Sequence, residues 1–315
     1  MARGATRRVT RGILAARALR HDLEHRFVPL PPLLVFGLSG QLGDALRRVG
    51  LPMPALAVSR RPRTDPPAPS PAMAPIDWRT AELAAFAEAH RFDAALSLGP
   101  LDAFARAVAE GRVRAGRVVA FGSTSVHVKS ASPDAAERGV AARLAAAEAA
   151  LVEACRRTGT PCWILRPTLV WGMGRDATVS RVAALARRWP LLPLPTSAPG
   201  QRQPVHALDL AQAASVALTA DPSTAGAYDL PGAERLAFGE MLRRSVVAGA
   251  PRCRVVSVPW RAAAAVGRFH PGLRGLASRL GEDLTFDGAP ARAALGWTPR
   301  GFLPQAADFA PVARR

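Results

Sequence analysis

The chain has 315 residues, enough to bury a substantial core as one large domain or two closely joined ones. Hydrophobic residues make up 49% and aromatics 6%, and no window approaches a run of about 18 apolar residues, so no membrane span is expected. The formal net charge of +18 comes almost wholly from arginines scattered along the chain; with no cationic run interleaved with aromatics, a nucleic-acid partner is not expected, whereas phosphate-bearing small molecules are.

Residues 1–30 stand apart. Six arginines precede Leu23, and only a weak helical stripe runs through Ile13, Leu14, Ala18 and Leu19. An apolar core of the secretory type is missing, so the segment reads as a basic, partly helical extension. Pro29 to Pro32 then break any helix and introduce the folded part.

"PLLVFGLSGQLGDALRRVG" predicts a strand over Leu33 to Phe36, a glycine turn, and a helix from about Gln41. Gly37, Gly40 and Gly43 form a G-x-x-G-x-x-G pattern between them. Such a turn lets backbone N–H groups and a helix N-terminus meet a pyrophosphate, and a side chain at Gly40 would block that approach. Ser39, Gln41 and Leu42 belong to the same predicted dinucleotide cradle. The next strand ends near Val58 and is followed by Ser59, Arg60 and Arg61, with no acid. An acid there takes the adenosine ribose hydroxyls and arginine suits a 2′-phosphate, so NADP is preferred, with NAD possible.

The proline-rich stretch "RPRTDPPAPSPAMAP" predicts an irregular crossover to a short strand near Ile76 and Asp77. Asp77, and Gly99 after the strand in "FDAALSLGP", are further cofactor candidates. "AELAAFAEAH" and "LDAFARAVAEG" read as helices, "RVVAFGS" as a strand, and "ERGVAARLAAAEAALVEACRRTG" as a long helix. "PCWILRPTLVWG" reads as a strand running into a loop. "AAAAVGRF" and "LRGLASRLGED" are predicted helices of a smaller lobe. Strands that are nearly continuous apolar runs, alternating with helices, predict a doubly wound parallel α/β sheet. Cys155, Cys162 and Cys253 are separated and show no paired metal spacing, so buried thiols, no metal and a reduced cytoplasmic setting are expected.

"GLSGQLG", "FGSTSVHV", "AEAALVEA", "ILRPTLVWGMGRD", "RQPVHALDLAQAA", "GAYDLPG" and "ARAALGWTPR" follow one another as in the extended short-chain dehydrogenases/reductases. From about Leu33 to Arg300 the chain resembles these NAD-dependent epimerase/dehydratase, or nucleotide-sugar epimerase-like, proteins. The resemblance implies a Rossmann-type domain over residues 31–200, a returning segment near 203–220, and a smaller C-terminal substrate lobe over 221–315. It implies an oxidoreductase or epimerase acting on a phosphorylated or nucleotide-linked small molecule, as a monomer or homodimer.

The family's chemistry uses a serine or threonine, a tyrosine and a lysine, with hydride passing to or from the nicotinamide. Ser123 matches the serine, with Thr124 and Ser125 beside it as substrate contacts. Counting back from Glu148, the tyrosine and lysine positions hold Val140 and Leu144. Tyr228 is the only tyrosine and Lys129 the only lysine, and neither lies on that helix. Arg143 could mimic the missing charge but is a poor proton carrier. Candidate replacements are His127, four residues after Ser123, and Lys129; Asp176, read as a loop carboxylate paired with Arg175, is a weaker one. The family match also assigns Arg202 to a diphosphate, and Arg166, Pro167 and Thr168 to the nicotinamide end of the cleft. His206 and Asp209 are expected to position the crossover. A serine hydrolase is disfavoured because "GSTSV" is not a G-x-S-x-G elbow. The alternative from another class is a non-catalytic NADP-binding sensor or assembly protein, which explains an intact glycine turn beside an empty tyrosine position.

Overall fold

In the computed structural model the described residues are 31–60, 74–83, 86, 90–132, 134–269 and 280–310. The basic extension and Arg61 lie outside them. The sheet is built from seven strands: β1 (Leu33–Phe36), β2 (Ala55–Ser59), β3 (Ile76–Thr80), β4 (Ala94–Ser97), β5 (Val118–Phe121), β6 (Cys162–Pro167) and β7 (Gly226–Leu230). Their spatial order is β7-β6-β5-β4-β1-β2-β3, and every pairing is parallel. All residues of β1, β2, β4 and β5 are buried, as strands covered on both faces must be.

Alternation along β1 assigns its two faces. Leu33 and Val35 enter a core shared with helices α1 (Gln41–Val49) and α5 (Ala207–Ala217). Phe36 points the other way, edge-on to Phe104 of α2 (Leu101–Ala109) with ring centroids 5.5 Å apart. There α2 packs against the long helix α3 (Ala135–Thr158). Asp134 caps the start of α3 by accepting from the Ala136 N–H, and Gly159 ends it at φ +64°. Cys155 near the end of α3 and Cys162 at the start of β6 are neighbours in space rather than separated; the Cys155 thiol beside it, and burial, push the Cys162 thiol up.

A second core forms around α4 (Val179–Ala186) and α6 (Phe238–Gly249), with Trp171, Leu194, Phe302 and Phe309. The chain after residue 221 does not stay with it. Residues 226–230 return as β7, and Ala291, Leu295 and Trp297, on or next to α8 (Ala289–Leu295), join the core of the main sheet. The helix α7 (Trp260–Phe269) coincides with the predicted "AAAAVGRF" helix.

Two predicted helices fare differently. In 81–90, residues 81–83, 86 and 90 are described and are not helical, the Phe86 N–H donates to the Glu82 carbonyl at 2.9 Å, and the other five lie outside the described residues. Phe86 is held there by Phe36, with centroids 5.4 Å apart. Most of "LRGLASRLGED" lies outside the described residues. Among the described residues no helix is long and apolar enough to cross a membrane.

Candidate functional site

Strand order reverses between β1 and β4, so the loops after their carboxyl ends diverge and open a crevice. Here lies a cleft of about 470 Å³, lined by Gly37, Ser39, Gly40, Ser59, Arg60 and Gly99, with Leu98, Pro100 and Arg175. Gly37 has φ +81°, and a Cβ on it would stand 2.7 Å from the Gly99 nitrogen. The two loops therefore touch backbone to backbone. Gly40 is the N-cap of α1, where a Cβ would meet only the Gly37 carbonyl, at 3.3 Å. Gly43 serves another purpose: its Cβ would collide with the Leu38 carbonyl at 1.9 Å, so its bareness seats α1 on the turn.

The other cofactor candidates divide. The Ser59 hydroxyl hydrogen-bonds that of Ser39 at 3.0 Å, tying β2 to the glycine turn. The Gln41 amide donates to the Gly172 carbonyl at 2.8 Å, and Leu42 packs on the core. Asp77 is exposed within the edge strand β3 and is not among the described residues lining the cleft; Ala81, Glu82 and Leu83, just beyond that strand, are.

A second cleft, of about 310 Å³, opens beyond the ends of β5 and β6. Ser123, Thr124, Ser125, Lys129, Thr168 and Arg202 all line it, with Thr178, Gln203 and Phe286. The Ser123 Oγ accepts from the Ser125 N–H at 3.1 Å, which leaves its proton free to donate into the cleft. Thr124 is buried and donates to the Pro167 carbonyl at 3.2 Å. The Thr168 hydroxyl donates to the Gln203 carbonyl. Arg202 is buried rather than a surface ion-pair partner: its Nη1 donates to the carbonyls of Gln201 at 2.8 Å and Glu282 at 2.6 Å, and its guanidinium lies 5.1 Å from the Phe238 ring centre. Among the described residues no carboxylate pairs with Lys129.

His127 takes another direction. Its Nε2 sits 3.1 Å from Asp229 Oδ1, its ring lies against Phe286 at 6.0 Å, and it is not among the described residues lining the second cleft. Asp229 also faces Arg166 at 3.8 Å, and Arg166 is bound to buried Glu148 through Nε at 3.1 and 3.0 Å and through Nη2. That carboxylate holds the Arg166 guanidinium above its ordinary pKa. Arg166 is thus the middle of a chain of polar contacts from α3 to His127 across β6 and β7. Val140 and Leu144 are half-buried on α3. The Tyr228 phenol donates to the Thr224 carbonyl, before the start of β7 and away from the strand ends that form the clefts.

The loop after β6 corrects one expectation. Arg175 pairs with Asp44 of α1 at 2.8 Å, not with Asp176. Asp176 instead accepts from the N–H groups of Thr178 and Ser180, at 3.1 and 3.0 Å, and from the Ser180 hydroxyl, capping α4. Gly172, Met173 and Gly174 precede it with φ of +91°, +63° and +65°. His206 caps α5 by accepting from the Leu208 N–H at 3.1 Å and faces Asp308 through Nε2 at 3.3 Å; Asp209 binds Arg300 at 2.7 Å. Neither His206 nor Asp209 is among the described residues lining the two clefts. Sequence reasoning missed Arg175 and Asp229, whose partners lie more than a hundred residues away in the chain. Among the described residues no group of three or more side chains is placed to hold a metal ion.

The sequence matches no protein-family model and no curated protein. Solved structures do match the fold. The chain is 14% identical to a UDP-galactose 4-epimerase, covering 88% of this chain and 97% of that one, with a TM-score of 0.64. Against MoeE5 in complex with UDP-glucuronic acid and NAD the identity is 18%, the coverage 87% and 97%, and the TM-score 0.61. For the UDP-N-acetylglucosamine 4-epimerase from Bacillus cereus the values are 12%, 88% and 94%, and 0.60. At these identities the likeness establishes the architecture: a Rossmann-like α/β fold with a seven-stranded parallel sheet, shared with nucleotide-sugar epimerases.

Proposed function

We propose that the protein binds a nicotinamide dinucleotide in the first cleft and a nucleotide-linked small molecule in the second, acting as a divergent oxidoreductase or epimerase. The observation that carries this reading is the placement of the two clefts along one row of strand ends. Gly37 after β1 and Ser123 after β5 are separated only by β4, two strand spacings or about 10 Å across the sheet. The glycine cradle fits a dinucleotide because Gly37 and Gly99 leave bare backbone facing the cleft and Gly40 opens α1 towards it. Solved structures of this fold hold NAD and UDP-sugars, which supports the same pairing here.

The nicotinamide, when bound, supplies hydride transfer. The chain's own residues would do the rest. The Ser123 hydroxyl orients a substrate oxygen, Arg202 fixes an anionic group, and the Lys129 ammonium faces the same space. Lys129 is favoured over His127 as the group replacing the absent tyrosine and lysine, because it shares the cleft with Ser123 while His127 is turned to Asp229. Arg60, with no acid beside it at the end of β2, favours NADP over NAD.

Titration with NADPH and NADH is the primary test. Tight binding of NADPH, weakened about tenfold or more by R60A while NADH changes less, is the expected result. No binding of either overturns the reading, and equal losses overturn the NADP preference. A non-catalytic, NADP-binding role is the second reading, favoured by the aliphatic Val140 and Leu144 and the occupied Tyr228 phenol. It predicts that K129M and S123A leave any cofactor oxidation or reduction with UDP-sugars unchanged; a fall of about a hundredfold in either supports catalysis.

A further inference from the structure

We propose that Arg175 is a phosphate ligand of the bound dinucleotide, held over the glycine turn by the buried carboxylate of Asp44. The inference rests on the dinucleotide reading of the first cleft and assigns it a residue from outside the glycine motif.

Arg175 lines the same cleft as Gly37, Ser39 and Gly40. Its Nη1 donates to the Ser39 carbonyl and to Asp44 Oδ2, both at 2.8 Å. Those bonds use both protons of Nη1, and among the described residues Nε and Nη2 have no acceptor. A guanidinium has five N–H donors in one plane, so three remain, two of them the parallel Nε and Nη2 pair of its side edge. The side chain is one-quarter exposed. Asp44 is buried and also pairs with Arg47. One carboxylate therefore serves two guanidinium groups, and the base of the cleft keeps a net positive charge.

Arg175 is not alone in holding its loop. The Gln41 amide already holds the Gly172 carbonyl, and the Gly174 N–H is fixed to the Asp308 carbonyl at 2.8 Å. The three left-handed residues in between reverse the chain so that Arg175 faces α1. A planar donor set, anchored on one edge and open on the other, beside bare glycine backbone, suits the paired oxygens of a diphosphate.

Wild type, R175A and R175K are to be titrated with ADP-ribose, which carries the diphosphate without nicotinamide, and with adenosine, which carries no phosphate. The expected result is a loss of about tenfold or more for ADP-ribose in R175A, partial retention in R175K, and adenosine within about twofold throughout. The salt dependence of ADP-ribose binding should also become shallower in R175A. An ADP-ribose affinity unchanged in R175A overturns the proposal and leaves the dinucleotide reading standing. Equal losses for ADP-ribose and adenosine show that Arg175 only shapes the turn, and also overturn it. Failure of wild type to bind ADP-ribose removes both. Thermal melting of each variant separates these outcomes from loss of folding, and a destabilised R175A leaves the R175K comparison to decide.

Discussion

Two glycines of the same turn make opposite demands, and substitution can tell them apart. Gly37 combines a left-handed φ with a backbone neighbour 2.7 Å from where a Cβ would go, so G37A must move the loop after β4. An expected cost of about 2 kcal/mol or more should appear as a lower Tm together with loss of the proposed dinucleotide binding. At Gly40 the added methyl meets one carbonyl at 3.3 Å and otherwise enters the cleft. G40A should keep its Tm within a few degrees and still lose affinity for the proposed dinucleotide; an unaffected affinity would remove Gly40 from the ligand's path. This turn was legible because three glycines between an apolar strand and a helix form a local pattern. Arg175 was not, since nothing within its own segment reveals that it reaches Asp44, and the adjacent Asp176 offered a nearer but incorrect partner. His127 shows the same limit: its distance from Ser123 in sequence says nothing of its contact with Asp229 on β7.

Among the elements, α3 and β6 are joined by a charge pair that the apolar pattern of either conceals. Glu148 is buried against Arg166, and a Cβ at Gly122 would stand 2.6 Å from its Oε1, so the end of β5 closes over the pair. E148Q should cost about 3 kcal/mol, read by urea unfolding, because it leaves Arg166 without its counter-charge. A loss below 1 kcal/mol would mean Asp229 compensates. On α6 the balance is milder. The hydrogen bond from Arg243, with help from Arg244, lowers the Glu240 carboxyl to about 2. A depressed carboxyl stabilises the fold above its unfolded pKa of about 4.3, and that contribution fades as pH falls towards the folded value. E240Q should therefore flatten the stability profile between about pH 4.5 and 2, by a few tenths of a kcal/mol because the pair is partly solvated. Strands were read well since burial on both faces leaves an uninterrupted apolar run. The Ala- and Glu-rich 81–90 stretch is only half described, and there Phe86 packs edge-on to Phe36, a contact between distant segments that composition does not reveal.

Across the whole molecule, the first part of the second core is inserted between β6 and β7. The chain leaves the sheet at Pro167, lays down α4 and the returning helix α5, and comes back only at Gly226, after which α6, Phe302 and Phe309 complete that core. One lateral edge of the finished sheet, β3, carries exposed Asp77, Arg79 and Thr80, side chains that discourage another strand from pairing there. The opposite side has no such guard before β7 docks, because Trp163, Ile164 and Leu165 of β6 are wholly apolar. During folding, β6 must wait as an open edge until the intervening residues have closed their loop, and parallel pairing of this range is slow. Refolding from urea should lose yield as protein concentration rises, and a chain ending before Gly226 should self-associate; concentration-independent recovery would show that β7 docks early. The insertion that lends Arg175 to one cleft and Arg202 to the other thus leaves the growing sheet exposed to aggregation while it folds.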